Sequence, residues 1–368
     1  MKYETGELLS ERMSQPLTVA IVGCGEITAK RRAEQFQRAS GVEIGVSMDV
    51  EPSLANDVAD RVDCSVVTEY DELLEMDAID VVYLATPHHL HAPQAIAGAR
   101  AGHHVLVEKP IAVDLDSATA VIDACQDAGV TLGVCDTYRY RATYRRAREL
   151  IETGYLGEIV GTKLTVWARK PDAYWDGGYT GRVETDWRKS METSGGGILS
   201  TNVIHNVDAM NYLTGLEPER IACEYDTFAS PVDVEDFSVA TIRYKNGAIG
   251  IIEASSFLLD GPPEQTVRGD RVYGTDGELV IGDPLYVRTN EATDLGAGET
   301  FHELSVPALR PAGERLIEAF AESVHNGTEP PVSGEDGRDA LELVTAAYTA
   351  GNTGSTVSVP QTEDDPPT

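Results

Sequence analysis

Short all-apolar runs and longer amphipathic stretches take turns along the first third of the chain. Leu17–Val22 is an apolar run closed by glycine, and a helical pattern follows through Ala39. Val42–Met48 ends at Asp49; helical text at 54–61 leads to a short run at Ser65–Val67 and a further helix at 70–76. The pattern continues with a strand at 81–85, a helix at 92–101, a strand at 105–107, the helix Leu115–Ala128 and a strand at 131–135. Strands of this kind separated by helices of about ten residues require parallel crossovers. The first part therefore predicts a doubly wound parallel sheet within an α/β domain over residues 17–137.

After residue 137 the text changes. A basic amphipathic helix at 144–152 and a strand at 159–168 precede a long polar and aromatic segment, 170–193, that contains Trp175 and Trp187. Gly195-Gly196-Gly197 then opens a helix running through Tyr212. From 220 to 287 the text is strand-like, with turn signals at Lys245-Asn246-Gly247 and Asp276-Gly277, which favours a large, mainly antiparallel open sheet. Helices at 315–324 and 337–350 close a second α/β domain assigned to 138–359, flanked by an extension at 1–16 and an acidic, proline-containing tail at 360–368 that is expected to be disordered.

Composition narrows the partners. Across 368 residues, 61 acids against 29 bases give a net charge of -32, and the acids are spread along the whole chain. Such a surface repels phosphate backbones and anionic membranes, so neither nucleic acid nor membrane is an expected partner. Only seven of the bases are lysine, a balance that resembles proteins of salt-in halophiles, whose high ionic strength screens self-repulsion. The absence of a long apolar stretch and of a secretory pattern in the first sixteen residues leads to a cytoplasmic expectation. Five cysteines without a CxxC pair read as reduced thiols. His88, His89, His91, His103 and His104 lack cysteine or carboxylate companions at zinc-like spacing, so no metal is expected.

The chemistry begins at Gly23-Cys24-Gly25. Gly23 allows a sharp exit from the first strand, and Gly25 lets the main chain approach a pyrophosphate at the positive start of the next helix. Glu26 and Ile27 belong to the same predicted contact region; Thr28 stands at the third small position of the GxGxxG pattern. Asp49 ends the second strand, 24 residues after Gly25, and the next basic residue is Arg61. An acid there accepts ribose hydroxyls and repels a 2′-phosphate, favouring NAD, with NADP as the other option; the same acid also suits a turn or a helix cap. Farther on, Glu108-Lys109-Pro110 closes the strand at 105–107. A lysine at a strand end beside a nicotinamide can polarise an alcohol and stabilise the alkoxide it becomes.

Taken in order, Gly23-x-Gly25, Ala85-Thr86-Pro87 followed by His91, Glu108-Lys109-Pro110, Gly195-Gly196-Gly197 with His205 and Asp208, and the closing Pro330-Pro331-Val332-Ser333-Gly334-Glu335 resemble the glucose-fructose oxidoreductase, inositol dehydrogenase and rhizopine-catabolism (Gfo/Idh/MocA) family. The resemblance implies an N-terminal Rossmann domain and a C-terminal domain whose open sheet forms a homodimer or homotetramer interface. It further implies hydride transfer between a nicotinamide and a carbon of a sugar, cyclitol or related polyol. Thr86, Pro87, His91, Glu108 and Lys109 would contact the cofactor. Lys109 and His205 would form the catalytic pair, an imidazole near neutral pKa suiting proton removal from a hydroxyl. Many members carry aspartate four residues before the histidine, where this chain has Thr201 and then Asn202. Those two, with Arg139, Trp187 and Arg188, are candidate substrate contacts. Two other readings stay open: a non-catalytic nucleotide-sensing regulator on the same fold, and an NADP-preferring aldose or dihydrodiol dehydrogenase.

Overall fold

The computed structural model describes residues 15–257, 269–291, 293, 295 and 298–360. The acidic tail beyond 360 and residues 1–14 of the N-terminal extension lie outside these. The chain divides into two compact units, Met1–Asp136 with Gly313–Arg338, and Thr137–Ala312 with Asp339–Thr368.

In the first unit, the strands among the described residues are β1 (Leu17–Val22), β2 (Val42–Met48), β3 (Ser65–Val67), β4 (Val81–Leu84), β5 (His104–Val107) and β6 (Leu132–Val134). They form one parallel sheet in the order β3-β2-β1-β4-β5-β6. Val19 to Val22, all of β4 and Val105 to Val107 are buried, as continuous apolar runs covered on both faces must be. The helices between them carry their own boundary signals. The Asp114 side chain caps Leu115–Ala128 by accepting from the Ser117 N–H at 2.7 Å, and Gly129 ends that helix in a left-handed conformation.

The sequence pattern assigned 138–359 as one block, whereas Gly313–Arg338 belongs with the first unit. Gly133 on β6 leaves the space that the Phe320 ring of helix Ala312–Asn326 fills, since a Cβ there would come within 2.6 Å of it. Gly133 also bridges to Ser333.

The second unit is built on β7 (Ile159–Trp167), β8 (Pro218–Asp226), β9 (Phe237–Tyr244), β10 (Ile249–Ser255), β11 (Asp270–Gly274), β12 (Gly277–Ile281), β13 (Leu285–Thr289), β14 (His302–Leu304) and β15 (Val357–Ser358). Their order is β14-β13-β12-β11-β7-β10-β9-β8-β15. Among the described residues β7 and β10 pair in parallel and every other neighbouring pair is antiparallel. The segment read as polar text at 170–193 contains short helices at Asp172–Gly177, Trp187–Lys189 and Met191–Ser194.

Candidate active site

The strand order reverses between β1 and β4, which places the loops after β1, β4 and β5 at the C-terminal edge of the first unit's sheet, where open α/β sheets receive their ligands. Gly23 leaves β1 with φ +92°, and its missing side chain matters: a Cβ would stand 2.7 Å from the Ala85 carbonyl carbon and 2.8 Å from the Thr86 nitrogen. Gly25 has the opposite surroundings, with open space where its side chain would be. Thr28, at the third small position, is fully buried and donates its hydroxyl to the Gly23 carbonyl at 2.6 Å. The threonine thus locks the turn from inside the helix, a stretch that takes π form over Thr28–Arg32. Glu26 and Ile27 begin this helix half-exposed, Glu26 paired with Lys30.

Asp49 is half-buried at the end of β2. One carboxylate oxygen accepts the Cys24 N–H at 2.8 Å and the other the Glu51 N–H at 3.0 Å. It therefore joins the glycine turn to the next loop, and a carboxylate with one bond per oxygen keeps lone pairs for ribose hydroxyls.

The family-like residues after β4 and β5 separate into two kinds. Thr86, Pro87 and Lys109 are half-buried at the sheet edge, the Thr86 hydroxyl donating to Gln94 at 2.6 Å. Glu108 and His91 turn inward. Glu108 Oε1 accepts from Arg32 Nε at 2.7 Å and from the Tyr83 hydroxyl at 2.8 Å, all three side chains being buried. Burial by itself would raise the Glu108 pKa, but the Arg32 guanidinium and the Tyr83 hydroxyl hold it below the usual carboxylate value. His91 is fully buried, its Nδ1 2.8 Å from the Pro110 carbonyl and its Nε2 2.9 Å from the Thr86 carbonyl. Glu108 and His91, both expected cofactor contacts, thus direct these hydrogen bonds to the protein, and they brace the loops that carry Lys109 and Thr86. Burial depresses the His91 pKa, although two acceptor carbonyls favour its doubly protonated ring.

The Lys109–Pro110 peptide is cis. Burial lowers the Lys109 pKa, with Glu108 and Asp136 opposing and Arg32 adding to the effect. The result is an amine easier to deprotonate than an ordinary lysine.

In the second unit the glycine triplet is clasped by a buried acid the sequence reading did not find. Glu235 accepts the Gly197 N–H at 2.8 Å, the Leu199 N–H at 2.8 Å and the Tyr348 hydroxyl at 2.9 Å. Burial raises its pKa while these donors pull it back. Gly196 and Gly197 have no room for a side chain, the first against the Tyr348 ring and the second against the Glu235 main chain. A lone Glu in the loop before β9 gives no pattern that points to this task.

Thr201 is buried in the π-helical turn that follows, one turn before His205. Its hydroxyl lies 2.6 Å from the Gly197 carbonyl and 3.0 Å from Asn202 Oδ1, and it accepts from the ammonium of buried Lys170 at 2.7 Å. A cation therefore approaches the position where an aspartate was expected. Lys170 also lies 5.0 Å from the ring centroids of Tyr174 and Trp175. His205 is half-buried and stacks on Tyr138. Arg139, a candidate substrate contact, forms instead a buried two-pronged ion pair with Asp208, its Nε 2.8 Å from Oδ2. Arg188 lies over the Trp187 ring at 4.5 Å and over Tyr174 at 5.2 Å, all in the helical segment that follows Lys170. Among the described residues no three His, Cys, Asp or Glu side chains group as a metal site, and no helix is long and apolar enough to cross a membrane.

Residues 17–135 match the model of the oxidoreductase family with an NAD-binding Rossmann fold, and residues 144–280 match the GFO/IDH/MocA C-terminal domain. The chain is 31% identical over 298 residues to D-xylose 1-dehydrogenase (NADP(+)) 2 of Haloferax volcanii, covering 79% of this chain and 83% of the relative. It is 27% identical over 286 residues to myo-inositol 2-dehydrogenase of Thermotoga maritima, covering 75% and 78%. Among solved structures, levoglucosan dehydrogenase in complex with NADH and levoglucosan superposes with a TM-score of 0.82 at 25% identity, over 94% of this chain and 100% of the other. The chain belongs to the Gfo/Idh/MocA family of NAD(P)-dependent oxidoreductases.

Proposed function

We propose that this chain oxidises a CH–OH group of a sugar, cyclitol or related polyol with NAD, and that Lys109 and His205 are its catalytic pair. The observation that carries the reading is Lys109 itself: a half-buried lysine with a depressed pKa, at the C-terminal edge of the parallel sheet beside the strand-order reversal. The residues there suit a dinucleotide. Gly25 leaves its main chain open, Asp49 keeps acceptor capacity for ribose hydroxyls, and Thr86 and Pro87 are available for the nicotinamide half. When bound, the nicotinamide supplies the hydride acceptor. The imidazole of His205 takes the hydroxyl proton, and the Lys109 ammonium stabilises the oxygen as negative charge builds on it. With Thr201 engaged by Lys170, residue 201 provides no carboxylate to balance a charged imidazole, so Lys109 carries more of the electrostatic work.

In this reading the first unit holds the cofactor, while the second holds the substrate and its open sheet forms a homodimer or homotetramer. An apolar stripe on the open sheet supports assembly: Val239, Ile249 and Ile251 on neighbouring strands are 40%, 49% and 41% exposed. The net charge of -32 and the scarcity of lysine support a salt-adapted protein working in a cytoplasm of high ionic strength. NADP is the competing cofactor, favoured by the name of the Haloferax relative. The deciding experiment offers D-xylose, myo-inositol, levoglucosan and a wider set of aldoses and sugar acids with each cofactor in molar KCl. Oxidation of at least one with NAD preferred is expected. Failure of the whole panel contradicts the proposal, and tighter binding of NADP overturns the part assigned to Asp49.

A further inference from the structure

The ring of His205 lies parallel to that of Tyr138, with centroids 4.7 Å apart and planes inclined by 6°. The guanidinium carbon of Arg141 stands 3.4 Å from the centroid of the same tyrosine ring. Carbons in contact sit roughly 3.5 Å apart, so a guanidinium this close fills the face it covers, and the imidazole must occupy the opposite one. Tyr138 is therefore held between a cation and His205.

The tyrosine is aligned from a third direction. Its ring meets that of Tyr144 at 5.6 Å and 51°. The Tyr144 hydroxyl donates to Asp270 Oδ2 at 2.7 Å, and the same oxygen accepts from Asn206 Nδ2 at 2.7 Å. Tyr144, Asn206 and Asp270 are all buried, and Asn206 follows His205 in the chain. Contacts thus leave His205 through its ring and return through its main-chain neighbour.

We propose that Tyr138, clamped by Arg141 and aligned through Tyr144, Asp270 and Asn206, is the positioning residue for the His205 imidazole. Stacking permits sliding within the ring plane but opposes rotation out of it, since rotation drives the ring edge into the tyrosine face. The nitrogen that takes the substrate proton is thereby kept aimed. This inference rests on the reading in which His205 is the proton acceptor.

The test is steady-state kinetics with NAD and D-xylose, myo-inositol and levoglucosan in molar KCl. Tyr138→Leu is expected to lower kcat roughly 10- to 100-fold, the scale of a modest misplacement, with NADH affinity unchanged. Tyr138→Phe, which keeps the ring, recovers most of the loss. In a His205→Ala background, Tyr138→Leu costs nothing further, because it acts through the imidazole alone. An unchanged kcat in the leucine variant, an equal loss in the phenylalanine variant, or an additional loss in the alanine background overturns the inference. If His205→Ala turns over as fast as the parent, the role of His205 fails instead. The His205 ring proton resonances decide the stack independently of any substrate. They are expected to lose an upfield ring-current shift in Tyr138→Leu, and resonances that stay in place contradict the clamp.

Discussion

Arg32→Met separates the bracing of the site from its chemistry. The substitution keeps the apolar stem and removes the guanidinium, leaving the Glu108 carboxylate buried with the Tyr83 hydroxyl on the same oxygen. Breaking a buried ion pair by removing one partner costs about 3–5 kcal/mol, because a charge is stranded away from water. The hydrogen bond from Arg32 Nη1 to Gln35, 2.7 Å long, is lost as well, and a bond from a charged donor contributes about 1.5–3 kcal/mol. Adding Glu108→Gln removes the stranded charge, so the double variant is expected to regain at least half of the loss. The chain has two compact units and one global transition does not describe both, so the assay is native-state amide exchange at Leu84 and Val107 in graded urea. The pH dependence has a definite sign. The folded-state pKa of Glu108 is lowered, so its stabilisation is complete above the unfolded value of about 4.3 and is lost as pH falls through the folded value; Arg32→Met weakens that acid dependence. A change below about 1 kcal/mol in Arg32→Met, or a double variant as damaged as the sum of the singles, refutes the reasoning.

Gly23→Ala puts a methyl group into the Ala85–Thr86 main chain at a left-handed φ, so NADH binding measured by fluorescence titration is expected to weaken at least tenfold, beyond the loss from Gly25→Ala. Asp49→Ser removes the charge that opposes a 2′-phosphate while retaining an acceptor, and the ratio of NADP to NAD affinity is expected to rise roughly tenfold or more, about 1.4 kcal/mol. The rate against pH is expected to show a limb below the ordinary lysine range, following the lowered pKa of Lys109, and that limb should vanish in Lys109→Arg.

The parallel sheet was legible because its strands are continuous apolar runs such as Val81–Leu84, and a strand buried on both faces has little else to be. The docking of Gly313–Arg338 was not legible, since an amphipathic pattern shows that helix Ala312–Asn326 buries a face but not that Phe320 fills the space at Gly133. The same limit applied within the site. Local motifs grouped Thr86, His91, Glu108 and Lys109, yet only tertiary hydrogen bonds divide them into residues at the edge and residues bracing it. Arg139 looked available because its partner, Asp208, lies 69 positions away. Lys170 and Glu235 gave no signal, as each becomes informative only through long-range contacts, Lys170 with Thr201 and Glu235 with the glycine triplet and Tyr348.

The central claim is that Lys109 and His205 act together in hydride-coupled oxidation of a polyol, and its most direct measurement is turnover by Lys109→Met and His205→Ala beside the parent, with NADH affinity determined for each. With the panel substrate oxidised fastest by the parent in molar KCl, each variant is expected to bind NADH within a few-fold of the parent and to lose roughly 10²- to 10⁴-fold in kcat. The double variant is expected to lose much less than the product of the two, as members of one catalytic unit do. Full turnover in Lys109→Met, with cofactor still bound, would contradict the account.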